Sequence, residues 1–280
     1  MLTKTINSYD ILQKAIQSDD ISTKKEITNI CLESLNCADM WSSEGFEPIL
    51  FTKPSYVSKC KIVSPKDLKN RKDFDTPKGL ASLVHAIAHI EYSAIDLALD
   101  ALYRYPNMPL EYKRDWLEVA SDEIRHFEML EELLVELGFG YGDFPVHCGL
   151  FDASVNTADD ILDRMAIVPR YFEASGLDVS PQIIKKLSNR HKNPSVKKLI
   201  DMLHIILDEE IDHVRKGDKW FKYLCQKAEV AEGKEEEKYF EILQKYDLIT
   251  KHRPHINVDA RKEAGFSCVE IKRLGAKECE

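Results

Sequence analysis

The chain is poor in the residues that interrupt helices, with only 11 glycines and 11 prolines in 280 residues. They fall mostly between long stretches whose apolar residues recur every three or four positions, so a mainly helical protein is expected. It also lacks an excess of positive charge: 39 basic residues face 48 acidic ones, a net charge of −9. A diffuse cationic surface that would grip nucleic acid by its phosphates is therefore excluded, and nucleic acid is not expected as a partner. No apolar run reaches the roughly 18 residues that would span a bilayer, so no membrane partner is expected either. The start, MLTKTINSYD, lacks the apolar stretch of a secretory signal. The expectation is a soluble, cytoplasmic protein. Finally, the 7 cysteines contain no C-x-x-C pair and are dispersed. That fits a reducing compartment and argues against zinc fingers or a disulfide frame.

What is present is periodicity. With 44% apolar residues over 280 positions, the chain can form one large domain or two small ones with a real core. Residues 9–39 carry two short helical patterns divided near Ser18-Asp19-Asp20, with Asp20 or Ser22 placed to cap the second. From about 44 to 76 the periodicity stops, as Pro48, Pro54 and Pro65 alternate with lysines in an irregular arm. Long helices are then predicted from Pro77 to Tyr105 and from Leu110 to Leu137, the latter stopped by Gly138-Phe139-Gly140. A crossover loop runs on to Asn156-Thr157. A third helix starts near Thr157 or Asp159 and ends about Ser175, before Gly176. Pro181 opens a shorter helix to about His191, and a fourth long helix runs from Pro194 to about Val230. Helix, turn, helix, crossover, helix, helix is the connectivity of a ferritin-like four-helix bundle with one crossover. The expected fold class is thus all-α, with 1–76 as N-terminal helices and arm, 77–230 as the bundle, and 231–280 as a C-terminal arm ending in one short helix.

Two segments carry chemistry. Asp122-Glu123-Ile124-Arg125-His126 and Glu209-Glu210-Ile211-Asp212-His213 both read acid-Glu-Ile-x-His. Residues three apart share a helix face, so each Glu-x-x-His aims a carboxylate and an imidazole at one point. With 9 histidines in the chain, roughly one Glu-x-x-His is expected by chance. Two that sit on apolar faces are another matter. Glu123 and His126 share theirs with Trp116, Val119, Phe127, Leu130 and Leu134; Glu210 and His213 share theirs with Leu203, Ile206, Gly217 and Leu224. An unpaired buried carboxylate costs several kcal/mol, and a cation is the simplest compensation.

A bundle of this kind asks for one inward carboxylate from each remaining helix. Glu91 lies on a face with Val84, Ile87, Ala94, Ile95, Ala98 and Leu102, and Glu173 follows Leu162, Ala166 and Pro169. Glu91 precedes its Glu-x-x-His by 32 residues and Glu173 precedes the other by 37, as in two similar helical hairpins related by a pseudo-twofold. The expected metal ligands are therefore Glu91, Glu123, His126, Glu173, Glu210 and His213. Carboxylate and imidazole without thiolate suit iron or manganese, and the positions left open suit oxygen chemistry. Four carboxylates would neutralise two divalent ions, so such a centre can sit in an apolar core. The expected cofactor is two iron ions, with an iron/manganese pair as the variant.

Other residues receive plainer readings. Pro169 removes a backbone hydrogen bond one turn before Glu173, a source either of ordinary irregularity or of an oxygen pocket. His85 and His89 sit four apart near Glu91, yet His89 is on a polar stripe with Asp96 and Asp100, which points to structural hydrogen bonding under a terminal arm. Asp122 and Glu209 can support the ligand histidines, and Glu209 can replace Glu210 as ligand. Tyr92 and Tyr171 are read as core filling, His204 as an ordinary helix residue, His252 and His255 as non-ligands, and Lys66, Lys69, Arg71 and Lys72 as a solvated loop.

The stretches Thr76-Pro77-Lys78-Gly79-Leu80, HAIAHIEYSAIDLALDALYR, SDEIRHFEML, VPRYFEASGLD, LDEEIDHV and NVDARKEAGFS together resemble the bacterial ferritin-like family catalogued as domain of unknown function 455. The similarity spans nearly the whole chain. It implies a ferritin-like bundle with a di-metal centre whose ligands fall on the same six positions. More distantly the pattern is similar to the tRNA hydroxylase and rubrerythrin branches of that superfamily, an analogy of chemical class only. The reading is a di-iron oxidoreductase that activates dioxygen to oxidise or hydroxylate an organic small molecule, served by an electron donor. Its rivals are an iron-handling protein, by ferroxidase or peroxide scavenging, and a metal-stabilised binding protein without turnover. The oligomeric state is not legible.

Overall fold

A computed structural model describes residues 7–68, 71–190, 192–249 and 255–280, and there the protein is all-α. Among the described residues no strand forms; a single parallel bridge joins Ile62 to Val146. No described helix is long and apolar enough to cross a membrane. The chain divides into two compact units, one of Met1–Val155 with Asn193–Leu199 and one of Asn156–Lys192 with Ile200–Glu280.

The first unit is built on the hairpin of α3 (Pro77–Arg104) and α4 (Leu110–Glu136). Thr76 accepts a hydrogen bond from the Gly79 N–H and Pro77 occupies the first turn, so α3 starts where its sequence predicts. The apolar face around Glu91 is buried, and so is most of the opposite side. The cover comes from α1 (Ser8–Gln17), which packs on α3, and from α2 (Ile21–Glu33), which packs on α4 and is capped by Asp20. Arm residues complete it: Phe46 and Phe51 lie against Tyr103. The polar stripe of α3 is buried with partners rather than solvated. Lys24 ion-pairs with Asp96 at 2.5 Å, and Arg104 with Asp100 at 2.6 Å. The described residues of the arm, 44–68 and 71–76, are irregular as expected, apart from short 3-10 turns. The expected crossover loop, in contrast, ends in a helix, α5 (Gly149–Asn156).

The second unit holds α6 (Ile161–Ile167), a π-helical turn (Val168–Glu173) and α7 (Ala174–Ser188), which follow one another without a break. This differs from the expected stop before Gly176 and restart at Pro181, since both residues lie inside α7. A helix backbone tolerates one proline when only a single N–H is lost. The unit also contains α8 (Pro194–Lys227) beyond Leu199, α9 (Glu235–Lys245), α10 (Val258–Glu263) and α11 (Cys268–Leu274). The tail thus ends in two short helices rather than one, and residues 235–245 form a helix that the periodicity reading passed over.

The cysteine expectation needs correction. Cys268 and Cys279 form a disulfide, because the chain reverses at Gly275 (φ +126°) and brings their Cα atoms to 5.5 Å. Cys31, Cys37, Cys60, Cys148 and Cys225 are free thiols.

Candidate metal centre

Each unit holds one Glu-x-x-His on the helix to which the spacing assigns it. In the first, Glu123 and His126 project from α4 toward Glu91 of α3. Glu91 is 4% exposed, and Glu123 and His126 are fully buried. The His126 Nδ1 lies 3.2 Å from Glu91 Oε2 and 3.6 Å from Glu123 Oε2. One ligand atom from each of the three falls within 4.8 Å of the others, close enough for one ion to touch all three. Tyr92 and Phe127, the chain neighbours of Glu91 and His126, pack edge to face at 5.3 Å.

Burial and the adjacent Glu123 carboxylate push the Glu91 carboxyl up to about 7, against the pull of His126. For His126, burial disfavours the imidazolium. Its hydrogen bonds with Glu123 and Glu91, and their charges, outweigh that and raise it to about 11. The Glu91 carboxyl and the His126 imidazole thus retain protons well above their ordinary ranges. A divalent cation placed among them would replace those protons, as metal sites characteristically do.

In the second unit, Glu210 and His213 share one face of α8, with His213 Nδ1 3.7 Å from Glu210 Oε1. His213 is fully buried. Glu210 Oε2 is buried and has no hydrogen-bond partner among the described residues, which is uncommon for a buried carboxylate oxygen. Glu173 is the last residue of the π-helical turn and is partly buried. Close packing sets the approach of that turn to α8: a Cβ on Gly217 would lie 2.3 Å from the Pro169 ring, so only glycine fits one turn after His213. Pro169 therefore sits in a shaped contact, and the widened turn accommodates its missing N–H. Carboxylate oxygens with imidazole nitrogens, and no thiolate, fit iron or manganese.

The surrounding residues sort as follows. His89 is structural, but its main partner is the connection after α4 rather than a terminal arm. The Tyr141 hydroxyl donates to Nδ1 at 2.9 Å and Nε2 donates to the His147 carbonyl at 2.9 Å, with Tyr56 of the N-terminal arm edge-on at 4.7 Å. His85 Nε2 accepts from the Gly142 N–H. Burial pushes both imidazoles down to about 4, so they are neutral. Tyr92 and Tyr171 fill core, their hydroxyls bonded to Ser55 and to the Leu248 carbonyl. Asp122 pairs with Arg125 at 3.0 Å, Glu209 is partly exposed, and His204 and His255 are exposed. Lys66, Arg71 and Lys72 are exposed; Lys69 and His252 lie outside the described residues.

Sequence reasoning missed a buried ion cluster in the second unit, where Arg170 meets Asp218 at 3.0 Å and Glu270 at 2.7 Å. An arginine within the apolar stretch before Glu173 was the available signal.

Fold and site define an all-helical protein with buried carboxylate and histidine groups competent to bind metal. The chain belongs to the family described as protein of unknown function (DUF455), whose model matches residues 10–272. It is similar to a protein of Haemophilus influenzae (strain ATCC 51907 / DSM 11121 / KW20 / Rd), described as an uncharacterized protein. The two are 40% identical over 225 residues, covering 78% of this chain and 75% of that one. No solved structure matches.

Proposed function

We propose that the protein is a di-iron carboxylate oxidoreductase of ferritin-like build. In it, α3, α4, the α6–α7 run and α8 are the four bundle helices, and Glu91, Glu123, His126, Glu173, Glu210 and His213 hold two iron ions, or iron and manganese. The observation that carries the reading is the burial of Glu91, Glu123 and His126 within ligand distance of one another. A protein has little reason to desolvate two carboxylates at one point unless a cation joins them there.

Bound iron would supply Lewis acidity and one-electron redox steps for activating dioxygen. The chain does the rest. Glu91 and Glu123 supply the negative charge that holds the ions, and His126 and His213 turn their Nδ1 atoms toward the carboxylates of their own unit. Burial of Glu91, Glu123 and His126 in the core lowers the local dielectric, which strengthens each electrostatic contact there. The substrate is a small organic molecule and the electrons come from a separate donor.

The test is anaerobic loading of the full chain with ferrous iron, metal analysis, and then oxygen uptake with a chemical reductant present. About two irons per chain, oxygen consumption, and loss of both in Glu123→Ala and His213→Ala are expected. A folded wild-type chain that retains no iron would refute the proposal. Iron without oxygen uptake would leave a metal-stabilised binding protein, and very large iron loads in a shell would mean storage.

A further inference from the structure

The π-helical turn that ends in Glu173 is held along its length by other elements of its unit. Pro169 packs on Gly217 of α8, the Arg170 carbonyl accepts from the Tyr239 hydroxyl of α9 at 3.0 Å, and the Tyr171 hydroxyl donates to the Leu248 carbonyl at 3.2 Å. The strongest tie is the Arg170 side chain. It is 1% exposed, lies 4.3–4.7 Å from the rings of Tyr239, Phe221 and Phe266, and donates Nη2 to Glu270 Oε1 at 2.7 Å.

Glu270 is itself fixed. It is the third residue of α11, and its other oxygen accepts from the Ser267 N–H at 2.9 Å, while Ser267 Oγ accepts from the Glu270 N–H at 3.1 Å. This reciprocal cap leaves the carboxylate no freedom to follow a shifted guanidinium. Without Glu270 the buried guanidinium keeps only the Asp218 carboxylate, at 3.0 Å and shared with Lys222, so it is undercompensated where it stands and the turn carrying it shifts.

We infer that Glu270 of α11 is a positioning residue for Glu173: through Arg170 it sets the π-helical turn that aims the Glu173 carboxylate. The inference rests on the reading of Glu173 as a metal ligand. It assigns the C-terminal helix a part in the metal centre, although α11 carries no ligand. Removing such an outer partner typically costs about 10–100-fold in metal affinity.

Cobalt(II) serves as the probe, because its visible absorption reports coordination number. The full chain is titrated as wild type, Glu173→Gln, Glu270→Gln and the double variant. Glu270→Gln is expected to weaken one of two cobalt sites by about tenfold or more and to change its absorption bands as Glu173→Gln does. The double variant should be no worse than Glu173→Gln alone, because both changes remove the same contact. Amide exchange in the metal-free protein gives a second readout, with Glu270→Gln speeding exchange over 168–173. Asp218→Asn, whose side chain also contacts Arg170, replaces Glu270→Gln if that variant does not fold. Additive losses, or cobalt binding and exchange equal to wild type, overturn the inference while leaving the metal centre standing. A wild-type chain that binds no cobalt overturns both.

Discussion

Gly217→Ala and Gly176→Ala make the same chemical change in helices of the same unit, and the structure assigns them opposite signs. Replacing a mid-helix glycine by alanine ordinarily gains about 1 kcal/mol from backbone entropy. At Gly176 no atom lies within 4 Å of the added Cβ, so that gain should be realised. At Gly217 the Cβ would stand 2.3 Å from Pro169 Cβ and 2.6 Å from Pro169 Cγ. Carbon atoms prefer about 3.5–4.0 Å, so more than an ångström must be recovered. The obstructing group is a rigid ring in a turn tied to α9 and α11, and it cannot swing aside. Overpacking of this kind costs about 1–3 kcal/mol, and the tight contact puts the cost at the upper end. Net of the propensity gain, Gly217→Ala should lose about 2 kcal/mol, equivalent to a fall of roughly 4–8 °C in Tm; Gly176→Ala should gain roughly 2–4 °C. Thermal and urea unfolding of the metal-free proteins, followed by circular dichroism, measure both. A Gly217→Ala protein as stable as wild type would refute the close approach of α8 to the π-helical turn.

Two further outcomes follow from the charges and the disulfide. Glu91 rises from 4.5 unfolded to about 7 folded, so the stability it contributes is complete below about 4.5 and lost as pH climbs through about 7. His126 rises from 6.5 to about 11, so its contribution is complete below 6.5 and lost as pH climbs through about 11. Metal-free protein should therefore lose Tm as pH rises from about 4.5, whereas manganese(II)-loaded protein should not, because the cation has displaced those protons. Parallel Tm curves in chelator and in manganese(II) would contradict this. Reduction of Cys268–Cys279, whose residues are 11 apart, should cost at most about 3 kcal/mol by loop entropy. Urea unfolding with and without a phosphine reductant reads the loss, and alkylation of all 7 cysteines without reductant would show that the bond does not form.

The parts of this structure legible in the sequence are those governed by local pattern. α3 and α4 follow from uninterrupted periodicity, from Thr76-Pro77 at one start and from Gly138 at one end. The grouping of Glu123 and His126 follows from their spacing on a helix, and that of Glu91 with them from the demand of a bundle for a facing carboxylate. Where the pattern rests on a single residue, tertiary contacts override it. Gly176 and Pro181 do not end a helix, because Leu177, Asp178 and Leu187 are buried on the α7 face and hold it together. The pattern puts His89 on a different face of α3 from Glu91, but its partners Tyr141 and His147 lie more than 50 residues on and no periodicity could name them. The pairing of Arg170 with Glu270 spans 100 residues and was invisible for the same reason.

Departures from local preference gather at one place in the second unit. A proline stands inside a helical run, a glycine sits mid-helix at Gly217, a guanidinium is buried at Arg170, and the helix widens to a π turn, all within a few residues of Glu173 or one turn past His213. Each costs stability alone: about 3 kcal/mol for an interior proline and about 1 for the glycine. Together they offset one another. The missing Cβ of Gly217 admits the Pro169 ring, the π turn absorbs the lost N–H, and Asp218 and Glu270 balance Arg170. Such compensated sets arise where a backbone must hold an unfavourable shape for a purpose beyond packing. The first unit, in contrast, presents Glu91, Glu123 and His126 from regular helices. Glu91, Glu123 and His126 thus come from regular α3 and α4, whereas Glu173 ends a turn braced by α8, α9 and α11, so in the proposed centre it is the carboxylate whose aim depends on tertiary contacts.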